Sequence, residues 1–166
     1  MENVLFLDID GVLGHFVGRY ISFPIDKVRD KSRELCDHRV QMLANFVVAN
    51  GLSTIICSTW RKNVEFCEGP HKLVEFFLDH HNVDLNIIDY TIVSPDYFRG
   101  SEIRHAIVKH EITSYVILDD DGDFYPEQFD NHVAVSSING LVATDLIKAT
   151  KILKLTNKLT QYTHLV

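Results

Sequence analysis

The chain begins with an apolar run that ends in two aspartates. Residues 4–7 are all apolar, and Asp8, Asp10 and Gly11 follow them directly. A run of Val, Leu and Phe without a polar interruption is typical of a strand buried on both faces of a parallel sheet. Because open α/β sheets bind ligands at the carboxyl ends of their strands, we expect both carboxylates to lie at a binding edge. Asp and Gly also occur in ordinary turns, so this motif alone leaves a plain turn as the alternative.

Strand-like and helix-like segments alternate along the rest of the chain. Apolar runs predict five strands, at 4–8, 53–58, 87–94, 114–119 and 132–135. Apolar residues at helical spacing predict four helices, at 40–50, 72–81, 101–110 and 144–158. This alternation is typical of an α/β fold, and we predict a doubly wound, Rossmann-like parallel sheet of about five strands.

The length of 166 residues predicts a single domain over 1–166 with one sizeable core. The stretch 14–37 is irregular and of mixed charge, and we expect either a small flap over the site or a solvated loop there. Within the predicted helix 72–81, the residues expected to face the core are Leu73, Phe76, Phe77 and His80.

Composition narrows the classes of protein that fit. No apolar stretch approaches the length of a membrane span, and the N-terminus lacks the flanks of a signal peptide, so we expect a soluble, cytoplasmic protein. Cys36, Cys57 and Cys67 form no Cys-x-x-Cys pair, so we expect neither a disulfide framework nor a zinc site. A net charge of −7 argues against non-specific adhesion to nucleic acid but leaves room for a local phosphate-binding groove.

Polar side chains follow three of the predicted strands at the point where each strand ends. They are Asp8 and Asp10 after the first strand, Ser58 and Thr59 after the second, and Asp119, Asp120 and Asp121 after the fourth. Parallel crossovers bring these ends to one edge of the sheet. Carboxylates at this density repel one another, and an all-oxygen donor set favours Mg²⁺ as the cation that neutralises them.

At this point the chain resembles the haloacid dehalogenase (HAD)-like phosphohydrolases, whose first motif is Asp-x-Asp-Gly at the end of the first strand. It is most similar to the small, nearly capless type that occurs as the HAD domain of Swiss Army Knife RNA repair proteins. The pattern appears in order as Asp8-Ile9-Asp10-Gly11-Val12-Leu13, Ser58-Thr59-Trp60-Arg61, Arg99-Gly100-Ser101-Glu102-Ile103, Ile117-Leu118-Asp119-Asp120-Asp121 and Gly140-Leu141. The resemblance implies the same fold with a minimal cap.

The resemblance also implies roles for the carboxylates. Asp8 would be the nucleophile that forms an aspartyl-phosphate, and Asp10 would be the general acid and then the general base. Mg²⁺ would be held by Asp8, by the backbone carbonyl of Asp10 and by Asp120. Asp119 would orient the cation of the site or a metal-bound water.

Phosphate binding would fall to the segment after the second strand. Ser58 and the amide of Thr59 would donate hydrogen bonds to the phosphoryl oxygens. Arg61, next to this pocket, is expected to bind an anion. Trp60 has two equal interpretations, as a packing residue or as a platform for substrate.

The chain departs from the family pattern at two positions. Arg99 stands where the family usually has lysine, and Val142 stands where a Ser or Thr would cap a helix, a role that Thr144 is expected to take. Arg99 lies on the predicted loop before the helix 101–110, at the catalytic edge, and we predict that it is the cation of the site. Arg104 and Lys109 lie further along that helix, where a cation serves the helix dipole or faces solvent.

Two further groups have a plain structural interpretation. His80 and His81 with Asp84 imitate a metal site, but adjacent helical residues point apart, so a solvated helix end is the better interpretation. A row of lysines near helical spacing is better explained as a solvent face than as a grip on nucleic-acid phosphates. Its members are Lys148, Lys151, Lys154 and Lys158.

Together these features predict a Mg²⁺-dependent phosphomonoesterase. The expected partner is a phosphorylated substrate, with terminal phosphates of RNA or DNA as one candidate and mononucleotides, cleaved by a 5′-nucleotidase, as the other. A hypothesis of another class is a non-catalytic phosphate-binding or interaction module that kept the fold. The intact Asp8 and Asp10 count against that hypothesis, because a decayed site would be expected to lose its nucleophile first.

Overall fold

A computed structural model describes residues 1–14 and 35–155 of the chain. Its centre is a five-stranded sheet in which every neighbouring pair of strands is parallel. The strands are β1 (Val4–Leu7), β2 (Ser53–Ile56), β3 (Ile87–Tyr90), β4 (Tyr115–Asp119) and β5 (His132–Ala134), in the spatial order β3-β2-β1-β4-β5. The strand order reverses at β1, which is the place where open α/β sheets bind their ligands. The predicted α/β fold with about five parallel strands is confirmed.

The predicted helices are present with shifted ends. The four are α1 (Asp37–Asn50), α2 (Pro70–His81), α3 (Arg99–Lys109) and α4 (Ala143–Ile152). α1 ends at Gly51, whose φ of 61° is the left-handed conformation that glycine adopts readily after a helix. Two short 3₁₀ segments, Thr59–Lys62 and Pro126–Asn131, were not predicted, because a single turn leaves no periodic apolar pattern.

The helices cover both faces of the sheet, as a doubly wound fold requires. Alternate residues of β1 point to opposite faces, so Leu5 and Leu7 join one buried cluster while Val4 and Phe6 join another. α1, α2 and α4 supply the first cluster, and α3 covers the second. Because both faces are buried, all four residues of β1 are apolar, and the first polar side chain, Asp8, directly follows the strand.

Some details of the sequence prediction were wrong. His81 rather than His80 faces the core, because it lies one turn after Phe77 on the buried side of α2, and its Nδ1 lies 2.7 Å from Asp37 Oδ1. Thr144 does not cap α4. Val142 precedes that helix, and the backbone N–H of Val142 donates a hydrogen bond of 3.3 Å to the Asp145 carboxylate. β3 is four residues long and ends at Tyr90, so the chain from Thr91 to Phe98 is a loop at the carboxyl edge.

The predicted flap or loop at 14–37 lies mostly outside the described residues. Its two ends are joined, since Gly14 and Leu35 form an antiparallel bridge and the N–H of Cys36 donates to the carbonyl oxygen of Leu13 at 2.9 Å. The last helix was predicted to continue to about 158, but α4 ends at Ile152 and a turn follows at Leu153 and Lys154; position 158 itself lies outside the described residues. Within them, Lys148 pairs with Asp145, and no helix is long and apolar enough to cross a membrane.

A buried arginine ties together the loops at the carboxyl edge of the sheet. Arg61 follows β2, and both its side chain and that of Glu102 in α3 are almost fully buried, with Nη2 2.5 Å from the Glu102 carboxylate. The guanidinium also donates to four backbone carbonyl oxygens, those of Cys57 (2.7 Å), Ser58 (2.5 Å), Thr91 (3.0 Å) and Ile92 (3.3 Å). The second oxygen of Glu102 accepts the N–H of Ser94 at 3.1 Å. Arg61 and Glu102, here called the arginine clamp, therefore join the loops after β2 and β3 to α3.

We expect Glu102→Ala to destabilise the fold strongly, because it leaves the buried Arg61 without its counter-charge. Removing one partner of a buried ion pair costs about 3–5 kcal/mol, which corresponds to a fall in melting temperature on the order of 10 °C for a chain of this size. Thermal unfolding followed by circular dichroism measures the shift.

The matched control for this change is Glu75→Ala, which breaks an exposed pair. Glu75 lies 3.1 Å from Lys72 Nζ on the surface of α2, and pairs of this kind contribute less than about 1 kcal/mol. If both variants melted within about 2 °C of the wild type, the arginine clamp would not have the structural role described here.

Candidate active site

Three carboxylates converge at the carboxyl edge of the sheet. Asp8 directly follows β1, Asp119 ends β4 and Asp120 follows it, and one oxygen from each lies within 4.8 Å of the others. Gly11 makes this approach possible, because a Cβ atom at its position would overlap the Asp120 carboxylate. Asp121 is exposed, and its N–H donates to Asp119 Oδ1 at 2.9 Å. These carboxylates lie at the edge where the sequence predicted them.

Arg99 brings a positive charge into this cluster. Its Nη1 lies 3.3 Å from Asp8 Oδ1 and donates a hydrogen bond to Asp119 Oδ2. Arg99 is the first residue of α3 rather than part of the loop before it, because that helix starts two residues earlier than predicted. The side chain still reaches the carboxyl edge, since this end of α3 follows the loop after β3.

The other two cations considered for this role lie elsewhere. Lys109, at the last turn of α3, lies 2.5 Å from Asp89 Oδ2. Arg104 pairs with Glu127 and lies over the ring of Tyr125, with its guanidinium carbon 3.8 Å from the ring centroid. Among these three residues, only Arg99 contacts Asp8.

The pKa of Asp8, the candidate nucleophile, is subject to opposing effects. Asp8 is 5% exposed, and its burial, together with the charges of Asp10 and Asp120, raises its pKa to about 6. Arg99 and a hydrogen bond from the Ser58 hydroxyl oppose that rise. Burial and the charge of Asp8 also raise the pKa of Asp119. Burial therefore disfavours the charged form of both carboxylates, and Arg99 offsets this only in part.

Asp10 is held by an aromatic side chain from the next loop. The indole Nε1 of Trp60 donates a hydrogen bond of 3.0 Å to Asp10 Oδ1. Trp60 is buried, stacks on Phe66 with ring centroids 5.6 Å apart, and contacts the edge of Phe76 at 5.7 Å. The packing interpretation of Trp60 is therefore the right one, and the same side chain fixes the direction of the Asp10 carboxylate.

Ser58 and Thr59 form the turn after β2 that faces the carboxylates. Ser58 is fully buried, hydrogen-bonds Asp8 and accepts the N–H of Trp60 at 3.4 Å, which starts the 3₁₀ turn. Thr59 is exposed at the first position of that turn. Their positions leave the predicted donation to phosphoryl oxygens as a prediction.

The prediction that Arg61 binds an anion is corrected by its contacts. Its N–H groups are directed to four backbone carbonyl oxygens and to Glu102, and the side chain is almost fully buried. A guanidinium has five N–H donors, so none remains for a phosphate. Arg61 positions the loops of the site instead of contacting a substrate.

Sequence reasoning missed two partners that shape the site. It did not foresee that Trp60 would hold Asp10, because a contact between residues fifty positions apart leaves no periodic signal. It also gave Glu102 no role. A buried glutamate needs a cationic partner, and in the folded chain that partner is Arg61. Both contacts join segments that only the folded sheet brings together.

The chain matches one model of a known protein family. The model, described as the HAD domain in Swiss Army Knife RNA repair proteins, matches residues 4–146. This range includes all five strands and the carboxylate cluster. No curated protein matches the chain, and no solved structure matches it. Because the matched range covers most of the sequence, the chain belongs to the family of HAD domains found in Swiss Army Knife RNA repair proteins.

Proposed function

We propose that this HAD domain is a Mg²⁺-dependent phosphomonoesterase that acts through an aspartyl-phosphate, with terminal phosphates of nucleic acids as its substrates. The observation that carries the proposal is the position of Asp8. Its carboxylate lies at the end of the central strand, 3.3 Å from Arg99 Nη1 and hydrogen-bonded to Ser58, with the Trp60-bound Asp10 two residues away. A held nucleophile beside a separately held acid is what two-step phosphoryl transfer requires.

In the first step a carboxylate oxygen of Asp8 attacks the phosphorus atom. The bond from phosphorus to the leaving oxygen breaks, and Asp10 gives that oxygen its proton. Arg99 favours the ionised form of Asp8, which the attack needs, and offsets charge on the incoming phosphate. Ser58 and the amide of Thr59 would donate hydrogen bonds to the phosphoryl oxygens in this step.

In the second step water replaces the aspartate on phosphorus. Asp10, now ionised, takes a proton from the water as its oxygen attacks, and the bond between phosphorus and Asp8 breaks to release phosphate. Trp60 keeps the same Asp10 oxygen occupied in both steps, so the other oxygen is the one that carries the proton.

The donor set at the site fits Mg²⁺. Asp8, Asp120 and the backbone carbonyl of Asp10 would hold it, all through oxygen atoms, which this cation prefers. Burial and, to a lesser extent, the neighbouring carboxylates raise the pKa of Asp8, and a divalent cation bound there would favour its ionised form. When bound, Mg²⁺ supplies electrostatic stabilisation that lets a phosphate dianion approach a carboxylate. Asp119 is committed to Arg99 and to the N–H of Asp121, so it fits the orienting role.

We expect the purified protein to hydrolyse an aryl phosphate in the presence of Mg²⁺ and to lose this activity when the cation is chelated. Asp8→Asn should abolish turnover without unfolding the protein, since the amide keeps the volume of the carboxylate but is not a nucleophile. Release of the phenol, followed by absorbance, measures the rate.

Three results would contradict parts of this assignment. Activity of Asp8→Asn near that of the wild type, with deamidation excluded by mass, would remove Asp8 as the nucleophile. A wild-type protein that binds phosphate but turns over no phosphomonoester would favour the non-catalytic module. A preference for free mononucleotides over oligonucleotide ends would favour the 5′-nucleotidase.

We expect Arg99→Ala to lower turnover by at least about tenfold, or roughly 1.4 kcal/mol of transition-state stabilisation. Arg99→Lys should recover part of that loss, because it restores the charge but not the planar fork. Lys109→Ala is the matched control, since Lys109 pairs with Asp89 away from the carboxylates. Initial rates at saturating Mg²⁺ compare the three variants. If turnover fell in Lys109→Ala but not in Arg99→Ala, the cation of the site would be misassigned.

We expect the effect of Trp60→Phe to depend on the leaving group. The change keeps an aromatic ring but removes the N–H that holds Asp10, so proton transfer to the leaving oxygen should suffer most. Turnover should fall by about tenfold or more for an alkyl phosphate and by less than about threefold for a nitrophenyl phosphate, whose leaving oxygen needs little protonation.

The control for Trp60→Phe is Phe66→Leu. Phe66 stacks on Trp60, so its replacement disturbs the packing while leaving the indole N–H in place. A loss of turnover caused by packing alone is equal for both phosphates. If Trp60→Phe also lowered both rates equally, Trp60 would not position the acid.

A further inference from the structure

Tyr97 presents an aromatic ring to solvent at the carboxyl edge of the sheet. The residue is 73% exposed, and its φ of 54° is a left-handed conformation that bulky residues rarely adopt. Its N–H donates to the carbonyl oxygen of Ser94 at 3.0 Å, which closes a tight turn. Strained backbone of this kind persists where the surroundings impose it and is concentrated at functional sites.

The loop that carries Tyr97 is held rigidly by the arginine clamp. Arg61 fixes the first residues of the loop by donating to the carbonyl oxygens of Thr91 and Ile92. Glu102 accepts the N–H of Ser94, a few residues further along. The loop is thus pre-ordered in the free protein, which lowers the entropic cost of binding a ligand on it. An exposed ring on a pre-ordered loop is suited to bind a flat molecule.

A cation from the neighbouring loop accompanies the ring. Lys62 Nζ lies 5.2 Å from the centroid of the Tyr97 ring, and Lys62 itself is exposed at the end of the 3₁₀ turn that begins with Thr59. The adjacent acid, Asp96, is engaged locally, because its carboxylate accepts the N–H of Phe98 and the hydroxyl of Ser101. The exposed ring and the ammonium group therefore lie next to each other on the surface.

Both residues lie on segments that also carry a residue in contact with Asp8. Tyr97 is two residues before Arg99, which contacts Asp8, so their Cα atoms are at most roughly 7 Å apart. Lys62 is four residues after Ser58, which hydrogen-bonds Asp8. A molecule whose phosphate reached Asp8 would extend outward between these two loops.

We propose that Tyr97 and Lys62 form a nucleoside-binding platform, in which the base of a phosphorylated nucleoside stacks on the Tyr97 ring while its phosphate lies at Asp8. This inference rests on the proposed function and adds a recognition element to the same site. Stacking on an aromatic ring tolerates every base, because each base has a π-face. Lys62 contacts the sugar-phosphate backbone next to the stacked base.

The test compares ligands that differ only in the base. Ribose phosphate and nucleoside monophosphates, phosphorylated at the 5′ or 3′ position, are titrated by calorimetry into Asp8→Asn with Mg²⁺, which requires no turnover. We expect the nucleoside monophosphates to bind about tenfold more tightly than ribose phosphate, and Tyr97→Asn to abolish that difference while leaving the affinity for ribose phosphate unchanged.

The variants are chosen so that the protein stays folded. Asn tolerates the left-handed backbone at position 97, so Tyr97→Asn should not lower the melting temperature. Tyr97→Phe keeps the ring and should bind like the parent protein. Lys151→Ala, on exposed α4 surface, is the charge control for Lys62→Ala.

A phosphorylated tetranucleotide distinguishes the end of a nucleic-acid strand from a free nucleotide as the natural ligand. Tighter binding of the tetranucleotide than of the mononucleotide, with the gain lost in Lys62→Ala but kept in Lys151→Ala, assigns a strand end. Weaker binding of the tetranucleotide assigns a free nucleotide. Either result supports the platform when Tyr97→Asn removes the preference for the base.

The proposal is overturned if ribose phosphate binds as tightly as the nucleoside monophosphates, or if Tyr97→Asn keeps the preference. Failure of the proposed function is a separate outcome. It would appear as the absence of hydrolysis of every phosphomonoester by the wild type, whether or not binding depends on Tyr97.

Discussion

The site depends on one buried guanidinium that never meets a substrate. Arg61 donates to two backbone carbonyl oxygens just before its own turn and to two in the loop after β3, and its charge is matched by Glu102 in α3. These bonds fix the turn after β2, the loop after β3 and α3 relative to one another. A buried ion pair is poor evidence of stability by itself, but it fixes geometry, because any other arrangement leaves a charge unpaired.

Arg99 only partly offsets the effects that raise the pKa of Asp8. Arg99 contacts Asp8 and Asp119, yet burial and neighbouring carboxylates still raise the pKa of Asp8 to about 6. A site that fully neutralised itself would gain nothing from binding a cation. In the proposed function, Mg²⁺ and a phosphate would bind together because the cation would offset the repulsion between the phosphate and the carboxylates.

The sequence allowed the sheet and the carboxylate cluster to be predicted because both are local signals. An apolar run marks β1, and Asp8 stands where that run ends, so parallel topology alone brings it near Asp119 and Asp120. Arg61 was misassigned because a charged residue in an active-site motif was expected to face the ligand. Its burial depends on carbonyl oxygens of a loop thirty residues away, which no local pattern reveals.

The direction of Asp10 shows how the core and the chemistry share one side chain. Trp60 packs against both Phe66 and Phe76, which also contact each other, and its N–H donates to Asp10 Oδ1. An acid that must lose and regain a proton at one oxygen needs its other oxygen held, and a hydrogen bond from a mobile surface group would not hold it in one rotamer. The indole can do so because the aromatic cluster leaves it no alternative position. In the proposed mechanism, the precision of the proton transfer would therefore derive from the hydrophobic packing around Trp60 rather than from the sheet edge itself.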